Sequence, residues 1–120
     1  MTELQKVSRK NIIEALELFS SKEEQLDFQL RVPYVDVSTD LFWDWESDYI
    51  IDQEWFRAAH SVVELQAMAN FNQTLEEIYV DVEKIPPIRE FVLTAEWKRL
   101  SEAATSALNI FEVALELKTT

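Results

Sequence analysis

The chain has 120 residues, with 23 carboxylates against 11 lysines and arginines and a net charge of −12. That balance runs against nucleic-acid binding, where affinity for phosphate comes from Lys and Arg, and an anionic membrane surface would repel the chain. A content of 48% hydrophobic and 12% aromatic residues is ample for a core, so disorder is not expected in a chain of single-domain length.

Two absences narrow the chemistry. There is no cysteine, which removes disulfides, thiolate catalysis and Cys-ligated zinc. There is no glycine either, which removes Gly-rich phosphate loops and dinucleotide fingerprints and disfavours the tight hairpins of β-rich folds. The expected fold is therefore all-α: a compact single-domain helical bundle of five to six helices over residues 1–120. The N-terminus carries no apolar signal-type stretch, and no apolar run approaches the roughly 20 residues that span a bilayer. A cytoplasmic protein that binds no membrane is expected.

The elements read as follows. Ser8 is the expected cap of a first helix with Ile12, Ile13, Leu16 and Phe19 on one stripe. Ser21 and Glu24 form a capping-box pattern opening a second helix to about Val32. Leu26, Phe28, Leu30 and Val32 alternate in the period of a strand, but the capping box and the helix-forming composition favour helix. Pro33 ends it.

Residues 32–37 read as an extended loop. Ser38, Thr39 or Asp40 then caps a short helix with Leu41, Phe42, Trp43 and Trp45, and Asp52 caps a short turn through Trp55 and Phe56. Ser61 and Glu64 form a second capping-box pattern. The long helix they open runs to about Glu83, with Leu65, Met68, Phe71 or Asn72, Leu75, Ile78 and Val82 at helical spacing. Pro86 and Pro87 set a corner with a short turn from Pro87 through Val92. Thr94 caps a last helix to about Leu117, whose inward stripe is Trp97, Leu100, Ala104, Leu108, Phe111 and Leu115.

The most informative stretch lies between Arg31 and Arg57. Its 25 residues contain no positive charge, seven carboxylates and seven of the fourteen aromatics. Unneutralised acids cost folding energy, and large aromatics are favoured interface anchors. The stretch therefore reads as a surface for a basic partner, with Asp36, Asp40, Asp44, Trp45, Glu46, Asp48, Tyr49, Asp52 and Glu54 as the candidate partner-binding residues. Asp40, Asp44 and Asp48 recur every four residues and would repel on a helix. Trp43 and Trp45 are two apart and cannot share a face. At least one of Trp43, Trp45 and Trp55 is expected to be partly exposed, although core packing is favoured for each taken singly.

Competing chemistry is poorly supported. Asp44, Glu46, Asp48 and Asp52 match positions 1, 3, 5 and 9 of a calcium loop, but Tyr49 and Trp55 stand where glycine and a bidentate Glu are required. His60 is the only histidine, and no Glu-x-x-His pair or nucleophile elbow surrounds it. It reads as a polar residue just before a helix cap. No catalytic residue, metal, cofactor or small-molecule substrate is expected, and the protein is not expected to be an enzyme.

Three segments carry a family resemblance: residues 24–29 (EQLDFQ), 32–37 (VPYVDV) and 41–45 (LFWDW). With Phe56, the helix from Ser61 to Phe71, the corner at Pro86 and Pro87, and Trp97, they resemble small bacterial immunity proteins of contact-dependent inhibition and related polymorphic toxin systems. The likeness runs in order over about residues 20–110; Ser38 and Thr39 stand where a second proline would be usual. The resemblance implies an α-helical protein that binds and blocks one cognate toxin domain, often a basic nuclease. An alternative with the same charge logic is a nucleic-acid mimic that inhibits a DNA- or RNA-binding protein. A third class, a small enzyme or ligand-binding bundle, would need a deep pocket holding His60 or several carboxylates.

Overall fold

In the computed structural model, which describes residues 1–79 and 85–119, the chain is all-α, with seven helices and no strand among the described residues. The elements are α1 (Glu3–Ser20), α2 (Lys22–Arg31), α3 (Val37–Asp48), α4 (Glu54–Ala58), α5 (Val62–Tyr79), α6 (Ile88–Phe91) and α7 (Ala95–Thr119). The number exceeds the expected five to six because the two short turns, around residues 52–56 and 87–92, are one-turn helices, α4 and α6.

The helix starts follow from side-chain caps. Ser21 Oγ accepts from the Glu24 N–H, Thr94 Oγ1 accepts from the Trp97 N–H, and Ser61 with Glu64 closes a full capping box at 3.1 and 2.8 Å. Three expected caps are corrected. α1 begins at Glu3 under a capping box of Thr2 with Gln5, and Ser8 lies buried inside the helix. Its first turns are polar, with Leu4 and Val7 exposed, so apolar periodicity could not mark the start. α3 is capped by Asp36, whose carboxylate accepts from the Thr39 N–H and Oγ1. α4 starts after Gln53, without a side-chain cap.

The alternating residues of α2 resolve as helix, and the conflict leaves a mark. Phe28 and Leu30 are exposed, and Gln25 is the only fully buried residue of α2. Gln25 Nε2 donates to the Leu18 carbonyl at 2.7 Å. One turn on, Gln29 holds the loop that follows. Its Nε2 donates to the Val32 and Val35 carbonyls, and its Oε1 accepts from the Val37 N–H. These bonds satisfy the backbone of a glycine-free loop and deliver Asp36 to the start of α3.

α1 and α5 both pack along α7, and α3 packs against α1. The expected inward residues Ile12, Leu16, Phe19, Met68, Phe71, Leu75, Trp97, Leu100, Ala104 and Phe111 are buried; Ile13, Leu65, Ile78 and Leu108 are half-buried against them. Val82, the stretch 80–83 of the expected long helix and the Leu115 side chain lie outside the described residues. Aromatic edges knit the elements. Phe19 of α1 meets Phe71 of α5 at 5.1 Å and Phe42 of α3 at 6.1 Å, and Trp45 of α3 meets Phe71 at 4.7 Å. Phe42 also meets Phe91 of α6, which packs on Trp97 of α7. Each such pair contributes about 0.5–1.5 kcal/mol beyond area burial. α3 is thereby fixed in rotation, which decides what it shows to solvent.

Candidate partner-binding surface

The rotation of α3 follows from its apolar stripe, which packs on Phe19, Phe71 and Phe91. With Asp36 as N-cap, Val37, Ser38, Leu41, Phe42 and Trp45 form one buried face. Ser38 is wholly buried there, and its Oγ donates to the Pro86 carbonyl at 3.0 Å, tying α3 to the proline corner. At about 100° per residue, Trp43 then points away from the core. It is 56% exposed, while Trp45 is 1% exposed.

This corrects the candidate list at Trp45, which is a core residue. Its Nε1 donates to Asn72 Oδ1 at 3.0 Å, and its ring is enclosed by Phe71 and Tyr49. Trp43, absent from that list, is the exposed ring. The signal that finds it was in the sequence: on any helix through this segment residues 37, 38, 41, 42 and 45 share one stripe and 43 lies opposite. Tyr34, in the turn before α3, is also exposed, at 85%.

Acids flank Trp43 on both sides. On one flank Asp40, Asp44 and Asp48 follow one another turn by turn. Partial burial, then the charge of Asp40, pushes the Asp44 carboxyl above its ordinary range. Burial, then Asp44 and Glu14 of α1, does the same to Asp48. On the other flank stands Glu46. Among the described residues none of Asp36, Asp40, Asp44, Glu46, Asp48, Asp52 or Glu54 forms an ion pair. Asp52 and Glu54 are exposed on the turn after α3 and at the start of α4, and no bond joins them to the α3 acids. Arg57, which closes the cation-free stretch, donates to the Ile51 carbonyl instead.

Glu46 and Tyr49 belong to a different wall. They border a cavity of about 300 Å³ between α3 and α5, with Phe42, Trp45, Asn72 and Glu76. Tyr49 is half-buried and stacks on Trp45 at 5.1 Å with 15° between the planes. Burial, then the Glu76 charge, raises the Tyr49 hydroxyl above its ordinary value. Asn72 links floor to rim, accepting from Trp45 and donating to Glu76 at 3.2 Å.

Helical geometry through Asp48 splays Asp44 and Asp48 away from Glu46, so the calcium-loop register does not converge. Among the described residues no group of three or more histidine and carboxylate side chains is placed to hold a metal ion, and no helix is long and apolar enough to cross a membrane.

The sequence reading also missed a buried polar cluster. Arg9 sits on the Ile12–Leu16–Phe19 stripe and reaches Glu64, the Ala59 carbonyl and His60 Nδ1. The His60 ring is enclosed between Phe56 and Phe111. Burial first, then the Arg9 charge, lowers His60 to about 4. Since Arg9 can only donate, Nδ1 accepts and the ring is neutral, with its proton on Nε2. Nε2 is buried without a hydrogen-bond partner among the described residues. A polar side chain in phase with an apolar stripe was the available signal at Arg9.

Comparison of the chain with family models, with curated proteins and with solved structures gives no match.

Proposed function

We propose that the protein is a stoichiometric inhibitor that binds a basic protein through the outer face of α3, and that it acts as an immunity protein against a cognate toxin domain. One observation carries this reading: Trp43 stands exposed on the crest of α3, and the carboxylates on either side form no ion pair among the described residues. An exposed indole has no role in the core, and acids without counter-charges cost stability. A cation-rich partner would use both. The ring would supply a buried anchor, and the carboxylates would steer encounter and reject wrong partners. The family resemblance over about residues 20–110 suggests the toxin; the charge pattern suggests its basic character.

The three aspartates spaced one turn apart, about 6 Å along the axis, also suit a nucleic-acid mimic. The indole between the acids favours a single shaped partner over a groove that accepts any duplex.

The test is co-expression with the C-terminal domain of the large secreted protein expected from the adjacent upstream gene. A complex should co-purify and protect growth. Replacing Asp44, Glu46 and Asp48 with Asn, Gln and Asn should slow association and flatten its salt dependence. Unchanged association kinetics at low salt would sink the role assigned to these acids. Equal inhibition of unrelated DNA-binding proteins would favour mimicry.

A further inference from the structure

We infer that the cavity between α3 and α5 is the receptacle for one arginine side chain of the partner. The inference rests on the proposed meeting with a basic protein and names the chemistry of one contact within it. The cavity combines two features that suit a guanidinium. Its floor is aromatic, built from Phe42, Trp45 and Tyr49, and its rim carries the carboxylates of Glu46 and Glu76. Neither carboxylate has a cationic partner among the described residues. Among the described residues Glu76 accepts from Asn72 alone, through Oε1, which leaves its second oxygen for a donor.

Charge complementarity selects the occupant. A cation entering here meets two negative charges and the faces or edges of three rings, where desolvation strengthens attraction to aromatic faces. Arginine fits better than lysine. Its flat guanidinium is weakly hydrated, pairs with carboxylates through two parallel donors and stacks on rings, whereas ammonium is a compact, strongly hydrated point charge. The floor is also held in place before anything binds, because Trp45 is locked by Asn72 and by the Phe71 edge. Preorganisation of this kind lowers the cost of binding. The cavity opens on the Glu46 flank of Trp43, so an arginine seated in it would belong to the same partner that covers the indole.

The experiment is a nuclear magnetic resonance titration of the isotope-labelled full chain with N-acetyl-arginine amide and, separately, N-acetyl-lysine amide. Arginine amide should move the Trp45 indole N–H signal saturably and at lower concentration than lysine amide. Glu76→Gln should weaken that response by about tenfold, through loss of a charge-assisted pair, while Asp44→Asn on the opposite flank should leave it unchanged. Glu76 is exposed and Gln keeps an acceptor for Asn72, so the variant should fold; its unchanged amide spectrum away from α5 would verify that. A Trp45 signal that stays still, or responds equally to both amides, would overturn the inference. Such a result would leave co-purification with the toxin, and its loss on Trp43→Ala, as separate measurements of the parent reading.

Discussion

Arg9 and Glu64 meet as a fork against a carboxylate, Nη1 to Oε1 at 2.8 Å and Nη2 to Oε2 at 2.9 Å, across 55 positions of sequence. Glu64 is buried, only 2% exposed, and Arg9 is partly buried, at 12%. Glu64 also accepts from the Ser61 N–H as half of the α5 capping box. One carboxylate therefore starts α5 and anchors α1. Burial pushes the Glu64 carboxyl up, but the bonds from Arg9 and the Ser61 N–H, with the Arg9 charge and, once its ring is protonated, that of His60, outweigh it and hold the group below its usual range.

Arg9→Met should therefore destabilise the protein by about 3–5 kcal/mol, because it strands a buried charge. Removing both charges should cost much less. In Arg9→Met with Glu64→Gln, the amide keeps an acceptor for the Ser61 N–H, and the cost should fall below about 2 kcal/mol. Urea denaturation of the two single variants and the double variant measures the coupling. A double variant as unstable as the Arg9 variant would contradict this account of the cluster.

His60 makes stability depend on pH in a defined window. Its folded value, about 4, lies below the unfolded value of 6.5. The unfolded chain therefore takes up a proton first, and stability is lost as pH falls from about 6.5 to about 4. At about pH 5 the loss from this group should be about 2 kcal/mol. Glu64, held low, adds a further loss as pH falls through its folded value. Asp44 and Asp48, held high, act in the opposite sense, since protonation relieves first the burial of their charges and then their repulsion in the fold. Urea midpoints at about pH 7 and about pH 5 should differ clearly for the natural chain and little for His60→Gln. An equal pH response in both would remove His60 as the cause.

The α3 acids give a prediction of opposite sign. Asp48→Asn removes a partly buried charge and its repulsion from Asp44 and from Glu14 and should stabilise the isolated protein by about 0.5 kcal/mol. Adding salt should shrink that gain. The same change should weaken the proposed complex. Stability gained in isolation together with affinity lost is the signature of residues kept for binding. A destabilised variant would show that Asp48 supports the fold instead.

Much of this architecture was legible in the residues. Zero glycine and the 3.6-residue periodicity gave an all-α chain, and the Ser21, Ser61 and Thr94 caps marked three helix starts because each pairs a hydroxyl with an N–H three positions on. The start of α1 was hidden because its first turns face solvent. The Arg9, His60 and Glu64 cluster was hidden because only the packing of α1 beside the α4–α5 junction unites residues so far apart. The candidate surface was half legible. Composition pointed to it, but its orientation depends on which stripe of α3 the core takes: Leu41, Phe42 and Trp45 share a face with Val37 and Ser38, and Trp43 lies opposite.

The two tryptophans therefore give the sharpest contrast between fold and function. Trp45→Ala removes a fully buried ring, its contacts with Phe71 and Tyr49 and its bond to Asn72. It should cost about 3–5 kcal/mol of stability. Trp43→Ala removes a ring already 56% exposed, and its stability change should stay within about 0.5 kcal/mol. If the crest of α3 is the interface, Trp43→Ala should nonetheless cost at least about 2 kcal/mol of binding to the toxin domain, the scale of a buried aromatic anchor. Thermal denaturation and calorimetric titration of both variants separate the two roles. A folded Trp43→Ala protein that binds its toxin at full strength would place the interface elsewhere on the molecule.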